Sequence, residues 1–346
     1  MKKIFITALL IRLISLYLFR NVTNYDLQSY IQVGELTLKG INIYPDIANL
    51  HHPYLPFFLY VEAMAVYFDQ SKIIVITIIK FINIIFDLGI LYLVYLLLKK
   101  NLKTAFFYAI NPVTILVTTL HGQFDVIPVF FILLTIYLLN KKQELLSVLS
   151  FSFAILTKTW PILFLMPLGK KIKNKKLTIL IMFFPVLFTT LYCIFFKANP
   201  IDIGKTLISY QGLWGIWGPW VLLGKTRIFW QKLSTLIFLI SFFGYSYFNK
   251  EKNLIKNILQ LLFFFFIFTT NFSIQYFVWI IPFLILIKPK KYFQLLILIM
   301  IFLLSFYCIW VFRFSTSKWL TVIQNTIGFI LWLSFIKVGY LSKKIT

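Results

Sequence analysis

The chain has 346 residues, 60% of them hydrophobic, and carries a formal net charge of +24 at pH 7. Such a composition excludes an ordinary soluble globular protein and predicts a membrane protein. The lysines and arginines stand in short clusters between apolar runs, without a nucleic-acid-binding motif, so they are interpreted as topology signals rather than as contacts to nucleic acid. The two cysteines, Cys193 and Cys308, have no metal-type spacing and imply no disulfide framework.

The apolar runs predict an all-α, polytopic integral membrane protein with about twelve transmembrane helices. This number follows when the lysine-rich connections and both termini are placed in the cytoplasm, and when the N-terminal apolar stretch is retained as the first helix. We expect one module over residues 1–346 in the cytoplasmic (inner) membrane. The predicted spans are about 4–20, 73–98, 104–120, 126–140, 145–157, 160–169, 177–196, 228–248, 254–270, 276–288, 292–312 and 319–337.

Two long loops are predicted outside the membrane, at about 21–72 and 197–227. In the first loop, Leu27–Leu38 has helical spacing. The apolar stretch 55–68 cannot cross without inverting every later span, so it is predicted to lie along the outer face or dip into it. Any chemistry is expected on that face, because most of the acidic residues fall there. Seven of the ten are external: Asp26, Glu35, Asp46, Glu62, Asp69, Asp125 and Asp202.

The polar string His121–Asp125 separates two apolar spans. Burying such groups in hydrocarbon is costly, and they usually mark a substrate path or a reaction site. His121, Gln123 and Asp125 are candidates to bind a phosphate or sugar hydroxyls, and Asp125 is alternatively the cap of a helix beginning near 126. Asp26, on the same side of the membrane, is a candidate general base for an acceptor hydroxyl, with a helix N-cap as its alternative.

Lys158 stands in a predicted break between two short helices, because basic loops flank the apolar run 145–168 on both sides. Broken helices are tolerated where they line a cavity. A lone lysine in such a break either meets an anion or extends toward water. Arg313 is a further candidate to bind phosphate, with an interfacial anchor as its alternative.

Four more residues complete the candidate substrate-binding set. His52 and Tyr54 lie in the first external loop, where the adjacent histidines cannot share one helix face, and this disfavours a two-ligand metal site. Gln275 and Tyr276 open the span after Asn271, at a level where aromatic residues are also common as part of the interface belt.

Four stretches contain all of these candidates except Arg313: 24–56, 111–125, 156–161 and 273–279. Together they resemble the GT-C superfamily of membrane glycosyltransferases, which use sugars linked to polyprenyl or dolichyl phosphate. The first stretch is similar to that superfamily's first external loop, and the second to the NP…HGQFD signature of its mannosyltransferase-like members. The third is similar to its lysine-containing helix break, and the fourth to the SQYFxW stretch of the first mannosyltransferase of GPI synthesis.

The resemblance implies a GT-C-like fold with a helical first external loop. It also implies transfer of a hexose, with mannose favoured, from a polyprenyl-phosphate-linked donor to a lipid or glycan acceptor at the outer membrane face. In the superfamily an Asp of the first external loop is catalytic, and the matching position is Asp26. Asn24 replaces the first carboxylate of the DxD version of that motif, so the motif gives no support to a divalent metal cofactor. The implied reaction is an inverting displacement in which the lipid phosphate leaves as a stable anion.

Two other functions stay open. A transporter or lipid flippase commonly has twelve spans, but the chain has no convincing internal repeat, and Asp87 and Lys158 are its candidate charges at mid-depth. A polysaccharide polymerase shares polyprenyl substrates and external loops, and would differ by taking an oligosaccharide-pyrophosphate donor.

Overall fold

The computed structural model describes residues 1–209, 217–219, 227–312 and 318–343. The regular secondary structure in these ranges is helical, which confirms the all-α prediction for the described part of the chain. The chain divides into two compact units. The N-terminal unit is Met1–Ile162 with Gly169–Tyr210, and the C-terminal unit is Leu163–Leu168 with Gln211–Thr346. A single functional module over both units stays a prediction.

The helices up to Ser209 include the elements that carry most candidate site residues. They are α1 (Lys2–Leu18), α2 (Tyr25–Leu38), α3 (Ala48–His51), α4 (Phe58–Phe68), α5 (Lys72–Leu97), α6 (Leu102–Ala109), α7 (Pro112–Leu116), α8 (Val126–Asn140), α9 (Glu144–Thr157), α10 (Leu165–Lys171), α11 (Phe183–Phe196) and α12 (Pro200–Ser209). The later helices are α13 (Arg227–Phe248), α14 (Leu254–Phe268), α15 (Phe277–Ile287), α16 (Tyr292–Phe306) and α17 (Lys318–Lys343). Short 3₁₀ or π turns extend several of them, among them the π turn Val117–His121 and the 3₁₀ turn Trp160–Phe164.

Five helical stretches of the described residues are long and apolar enough to cross a membrane, which supports a membrane-embedded protein. They are Lys72–Leu97, Leu102–His121, Lys175–Phe196, Tyr292–Val311 and Trp319–Lys343. Other apolar helices, such as α8 and α9, have 15 and 14 residues. At 1.5 Å per residue they extend roughly 20 Å, less than the roughly 30 Å of a bilayer core. Twelve crossings therefore stay a prediction.

The segment 21–72, predicted as the first external loop, contains α2, α3 and α4. The predicted helix 27–38 is confirmed, although it begins at Tyr25 because Asn24 caps it: the Leu27 N–H donates to Asn24 Oδ1 at 2.9 Å. The apolar stretch 55–68 becomes α4, which at 11 residues is too short to cross. A Cβ at Gly34 of α2 would lie 2.7 Å from the carbonyl oxygen of Glu62 in α4, so the two backbones pack closely at this glycine.

Asp87, an acidic residue within a predicted span, joins three helices of the N-terminal unit. Its Oδ2 lies 2.6 Å from Nε of Arg12 in α1, and its Oδ1 accepts a hydrogen bond from the Tyr108 hydroxyl of α6 at 2.5 Å. Arg12 also donates to the carbonyl of Ala109 at 2.8 Å. The side chains of Arg12 and Asp87 are fully buried, so the pair satisfies charges that water does not reach.

We expect Asp87→Leu to destabilise the protein by about 3 kcal/mol, because it leaves the Arg12 guanidinium buried without its counter-charge. The double variant Arg12→Met/Asp87→Leu should recover most of this loss, because no charge is then left unpaired. The thermal midpoint of the detergent-solubilised protein measures both effects. A double variant as unstable as the single one would contradict this interpretation of the pair.

Candidate functional site

The polar string His121–Asp125 forms a sharp turn between the π turn and α8. Gly122 has φ +78°, a left-handed conformation that glycine adopts without strain. The carbonyl of His121 accepts a hydrogen bond from Asn24 Nδ2 at 2.8 Å, and that of Gly122 accepts one from Asn83 Nδ2 of α5 at 3.0 Å. The turn is thus fastened to the start of α2 and to α5.

Asp26, in the first turn of α2, faces the side chain of His121. The Nε2 atom of His121 lies 3.4 Å from Oδ2 of Asp26, and the two side chains are 8% and 36% exposed. Burial raises the pKa of Asp26, but hydrogen bonding and charge from His121, hydrogen bonding from Gln123 and the charge of Lys158 together hold it below its usual value. Asp26 is therefore an ionised carboxylate that a substrate can reach. Together with His121, Gln123, Asp125 and Lys158 it forms a group of polar side chains that we call the N-terminal cluster.

The N-cap alternative for Asp26 is wrong. Asn24 occupies the N-cap position of α2 and accepts from the Leu27 N–H, whereas Asp26 lies in the first turn of the helix. The amide of Asn24 also donates to the His121 carbonyl. The amide oxygen of Asn24 thus caps the helix that carries Asp26, and its amide nitrogen holds the turn that carries His121. Sequence reasoning treated Asn24 as a departure from DxD and missed this positioning role.

Lys158 meets an anion, as one of the two interpretations expected. The predicted break is confirmed: α9 ends at Thr157, and Lys158 is extended, with φ −150° and ψ 147°. Its Nζ lies 2.6 Å from Asp125 Oδ2 and donates to Gln123 Oε1 at 3.2 Å. It also lies 4.3 Å from the ring centroid of Phe124 and 4.9 Å from that of Tyr54. The alternative of extension toward water is wrong, because Lys158 is 5% exposed.

Asp125 occupies the N-cap position of α8, as the alternative expected, but its side chain makes no capping hydrogen bond. Its carboxylate is fully buried against the Lys158 ammonium. A buried carboxylate with a close cation is stabilised as the charged form, and each partner removes the cost of burying the other. Asp125 therefore positions the Lys158 ammonium, which in turn donates to Gln123 Oε1.

His52 and Tyr54 extend the cluster inward. The ring of Tyr54 lies 5.3 Å from that of His52 and 5.1 Å from that of Phe124. His52 Nδ1 lies 3.4 Å from Oε2 of Glu62 in α4, and both side chains are fully buried. Burial raises the pKa of Glu62, although His52 opposes the shift. His52 thus packs against the Tyr54 ring, which in turn contacts Phe124.

Tyr30 belongs to the cluster, although sequence reasoning did not select it as a site residue. It follows Asp26 by four residues on α2, the spacing that places two side chains on one helix face. Its ring lies 5.8 Å from that of Phe124, and its buried hydroxyl makes no hydrogen bond to the described residues. Burial, with the nearby Tyr54 hydroxyl and Asp26 carboxylate, raises the pKa of Tyr30 well above its usual value. Its hydroxyl is therefore a proton donor for a hydrogen bond.

Two further predicted site residues, Gln275 and Tyr276, are described within the C-terminal unit. Gln275 is 5% exposed, and the Tyr276 ring stacks on Trp279 at 4.2 Å. Arg313 lies outside the described residues. Among the described residues, no three His, Cys, Asp or Glu side chains are grouped to hold a metal ion, and we assign no residue to that role.

Comparisons of the chain with protein-family models, with curated proteins and with solved structures find no match. We therefore infer the function from the geometry of the N-terminal cluster and from the chemistry of its side chains.

Two glycines with left-handed backbones allow a matched test of the turn. We expect Gly122→Ala to lower both stability and activity, because the added Cβ would lie 2.6 Å from Cδ2 of buried Leu27. Gly40 has φ +70° and no atom within 4 Å of such a Cβ, so Gly40→Ala should lose only the roughly 1 kcal/mol of a left-handed alanine. Thermal midpoints of the two variants give the comparison. Equal losses would show that close packing of the turn against α2 is unimportant.

Proposed function

We propose that the chain is a membrane glycosyltransferase of GT-C-like architecture with twelve crossings. It transfers a hexose, with mannose favoured, from a polyprenyl-phosphate-linked donor to a lipid or glycan acceptor, at the outer face of the cytoplasmic membrane. Asp26 is the general base. The observation that carries the proposal is the contrast among the acids of the cluster: the side chain of Asp26 is 36% exposed, whereas those of Asp125 and Glu62 are fully buried against Lys158 and His52.

The proposed reaction is a single displacement at the anomeric carbon. The acceptor oxygen forms a bond to that carbon while the bond from carbon to the phosphate oxygen breaks, and the bonding electrons leave with the lipid phosphate. The acceptor proton passes to Asp26. A carboxylate with a lowered pKa holds this proton weakly, so Asp26 orients and polarises the hydroxyl and then releases the proton readily. The leaving phosphate monoester is a stable anion and needs no proton.

Electrostatic support for the donor phosphate comes from Lys158, which Asp125 holds in place before a substrate binds. His121 contacts Asp26 and helps to lower the pKa of that carboxyl. Gln123 supplies an amide that binds sugar hydroxyls, and the rings of Tyr54 and Phe124 supply apolar surface. Arg313, Gln275 and Tyr276 stay proposed substrate-binding residues.

The alternatives make different demands on the same residues. A transporter needs mid-depth charges that its cargo can reach, and Asp87 is fully buried against Arg12. The accessible carboxylate of Asp26 instead suits an acceptor hydroxyl and favours the enzyme. A polysaccharide polymerase is distinguished by its pyrophosphate donor, which the assay below includes.

We expect Asp26→Asn to lower the rate of sugar transfer by at least about 100-fold, because the amide cannot accept the acceptor proton. Purified protein is assayed with synthetic polyprenyl-phosphate mannose and glucose, with an oligosaccharide-pyrophosphate donor, and with a separate donor-binding measurement. Asp46→Asn is the control, since Asp46 is an exposed acid of the same loop.

Retained donor binding with lost transfer in Asp26→Asn alone supports the proposed base. Equal transfer by the wild type and Asp26→Asn would remove Asp26 from the chemistry. If the monophosphate donors neither bind nor react, the glycosyltransferase assignment itself fails, and use of the pyrophosphate donor would then identify a polymerase.

The pH dependence tests the role of His121. Asp26 must be ionised to accept a proton, and its lowered pKa means that activity falls only as the pH drops below the usual carboxyl range. His121→Gln removes the charge that helps to lower the pKa of Asp26, while burial still raises it. The pKa of Asp26 should therefore rise, and the acidic limb of kcat/KM should move to higher pH. Initial rates across the acidic range measure this limb. An unchanged limb would show that His121 does not tune Asp26, and a weakened donor affinity alone would make His121 a donor ligand instead.

A further inference from the structure

The C-terminal unit contains an apolar cleft between α13, α14 and α17. Its volume is about 360 Å³, within the range of roughly 300–1,000 Å³ typical of small-molecule sites. Most of the lining is aromatic or aliphatic: Phe263, Phe264, Ile267, Phe268, Trp332 and Ile336. Several of these side chains remain open to the surroundings, with Phe268 53% and Ile336 37% exposed. The cleft is therefore suited to a hydrocarbon chain.

One end of the cleft is polar and cationic. Tyr245, Gln260 and Lys343 line it there, and the Lys343 ammonium lies 5.1 Å from the centroid of the Tyr245 ring. Gln260 accepts a hydrogen bond from Asn249 at 3.0 Å. The connection between α13 and α14, residues 249–253, follows Tyr245 and precedes Gln260 in the chain, so it lies toward this end. It adds Lys250 and Lys252 against one acid, Glu251.

We propose that this cleft binds an anionic phospholipid, with one acyl chain between α14 and α17 and the phosphate at Lys343. Burial of the chain supplies affinity, and the ammonium supplies selectivity for a net negative headgroup. A lysine at the end of a helix carries its charge toward the headgroup region while its methylenes cover apolar surface. The positive-inside rule places this lysine-rich end in the cytoplasmic leaflet, where anionic headgroups attract basic segments.

The test is lipid retention by the purified full-length protein in detergent, measured by native mass spectrometry. Phosphatidylglycerol and phosphatidylcholine with identical acyl chains are the two probes. We expect preferential retention of phosphatidylglycerol, and a loss of about fivefold of that preference in Lys343→Ala, the effect of one lysine near an anionic headgroup. Lys337→Ala is the control, since Lys337 is an exposed lysine on the same helix that does not line the cleft.

A second variant tests the apolar part. Ile336→Trp fills the cleft and should lower the retention of both lipids, whatever their charge. Equal retention of the two lipids by the wild type would overturn the proposal, since an apolar groove that merely accumulates lipid has no headgroup preference. Equal losses in Lys343→Ala and Lys337→Ala, or undiminished retention in Ile336→Trp, would also overturn it. None of these results bears on glycosyl transfer, so the two proposals fail separately.

Discussion

The ion pair between Lys158 and Asp125, 2.6 Å apart and buried, is the interaction on which the geometry of the candidate site depends. A lysine at the end of a short apolar helix is costly unless an anion meets it. The extended backbone at Lys158 allows its side chain to reach the turn that follows the π turn, and Asp125 supplies the charge. The pair therefore connects the end of α9 with the turn that begins at His121.

Once that turn is fixed, the other contacts follow from it. Asn24 and Asn83 hold its carbonyls, so the start of α2 and the middle of α5 are brought against it. Asp26, in the first turn of α2, then faces His121. The acids differ in burial and in their partners, and such differences can make one carboxylate reactive and another structural. Asp125, Glu62 and Asp87 are buried beside cationic or imidazole groups, whereas Asp26 is accessible to a substrate.

Much of this could be predicted from the sequence. The apolar runs predicted helices, and the cost of buried charge selected His121, Asp125 and Lys158 as separate candidate site residues. The sequence could not predict which anion Lys158 meets, because residues 125 and 158 are brought together by tertiary packing. The N-cap could not be assigned either, since Asn24 and Asp26 are both good caps and only the backbone of α2 decides between them. Tyr30 and Glu62 were missed as site residues because single polar groups within apolar helices resemble ordinary packing positions.

A structure of the protein with a polyprenyl-phosphonate sugar that cannot be transferred tests the proposed role of Asp26 most directly. We expect the anomeric carbon to lie beside Asp26, with room for an acceptor hydroxyl at about 3 Å from a carboxylate oxygen. We also expect the phosphonate on the side of the sugar away from Asp26, as an in-line displacement requires. A sugar bound far from Asp26, or a phosphonate in contact with that carboxylate, would rule out Asp26 as the general base.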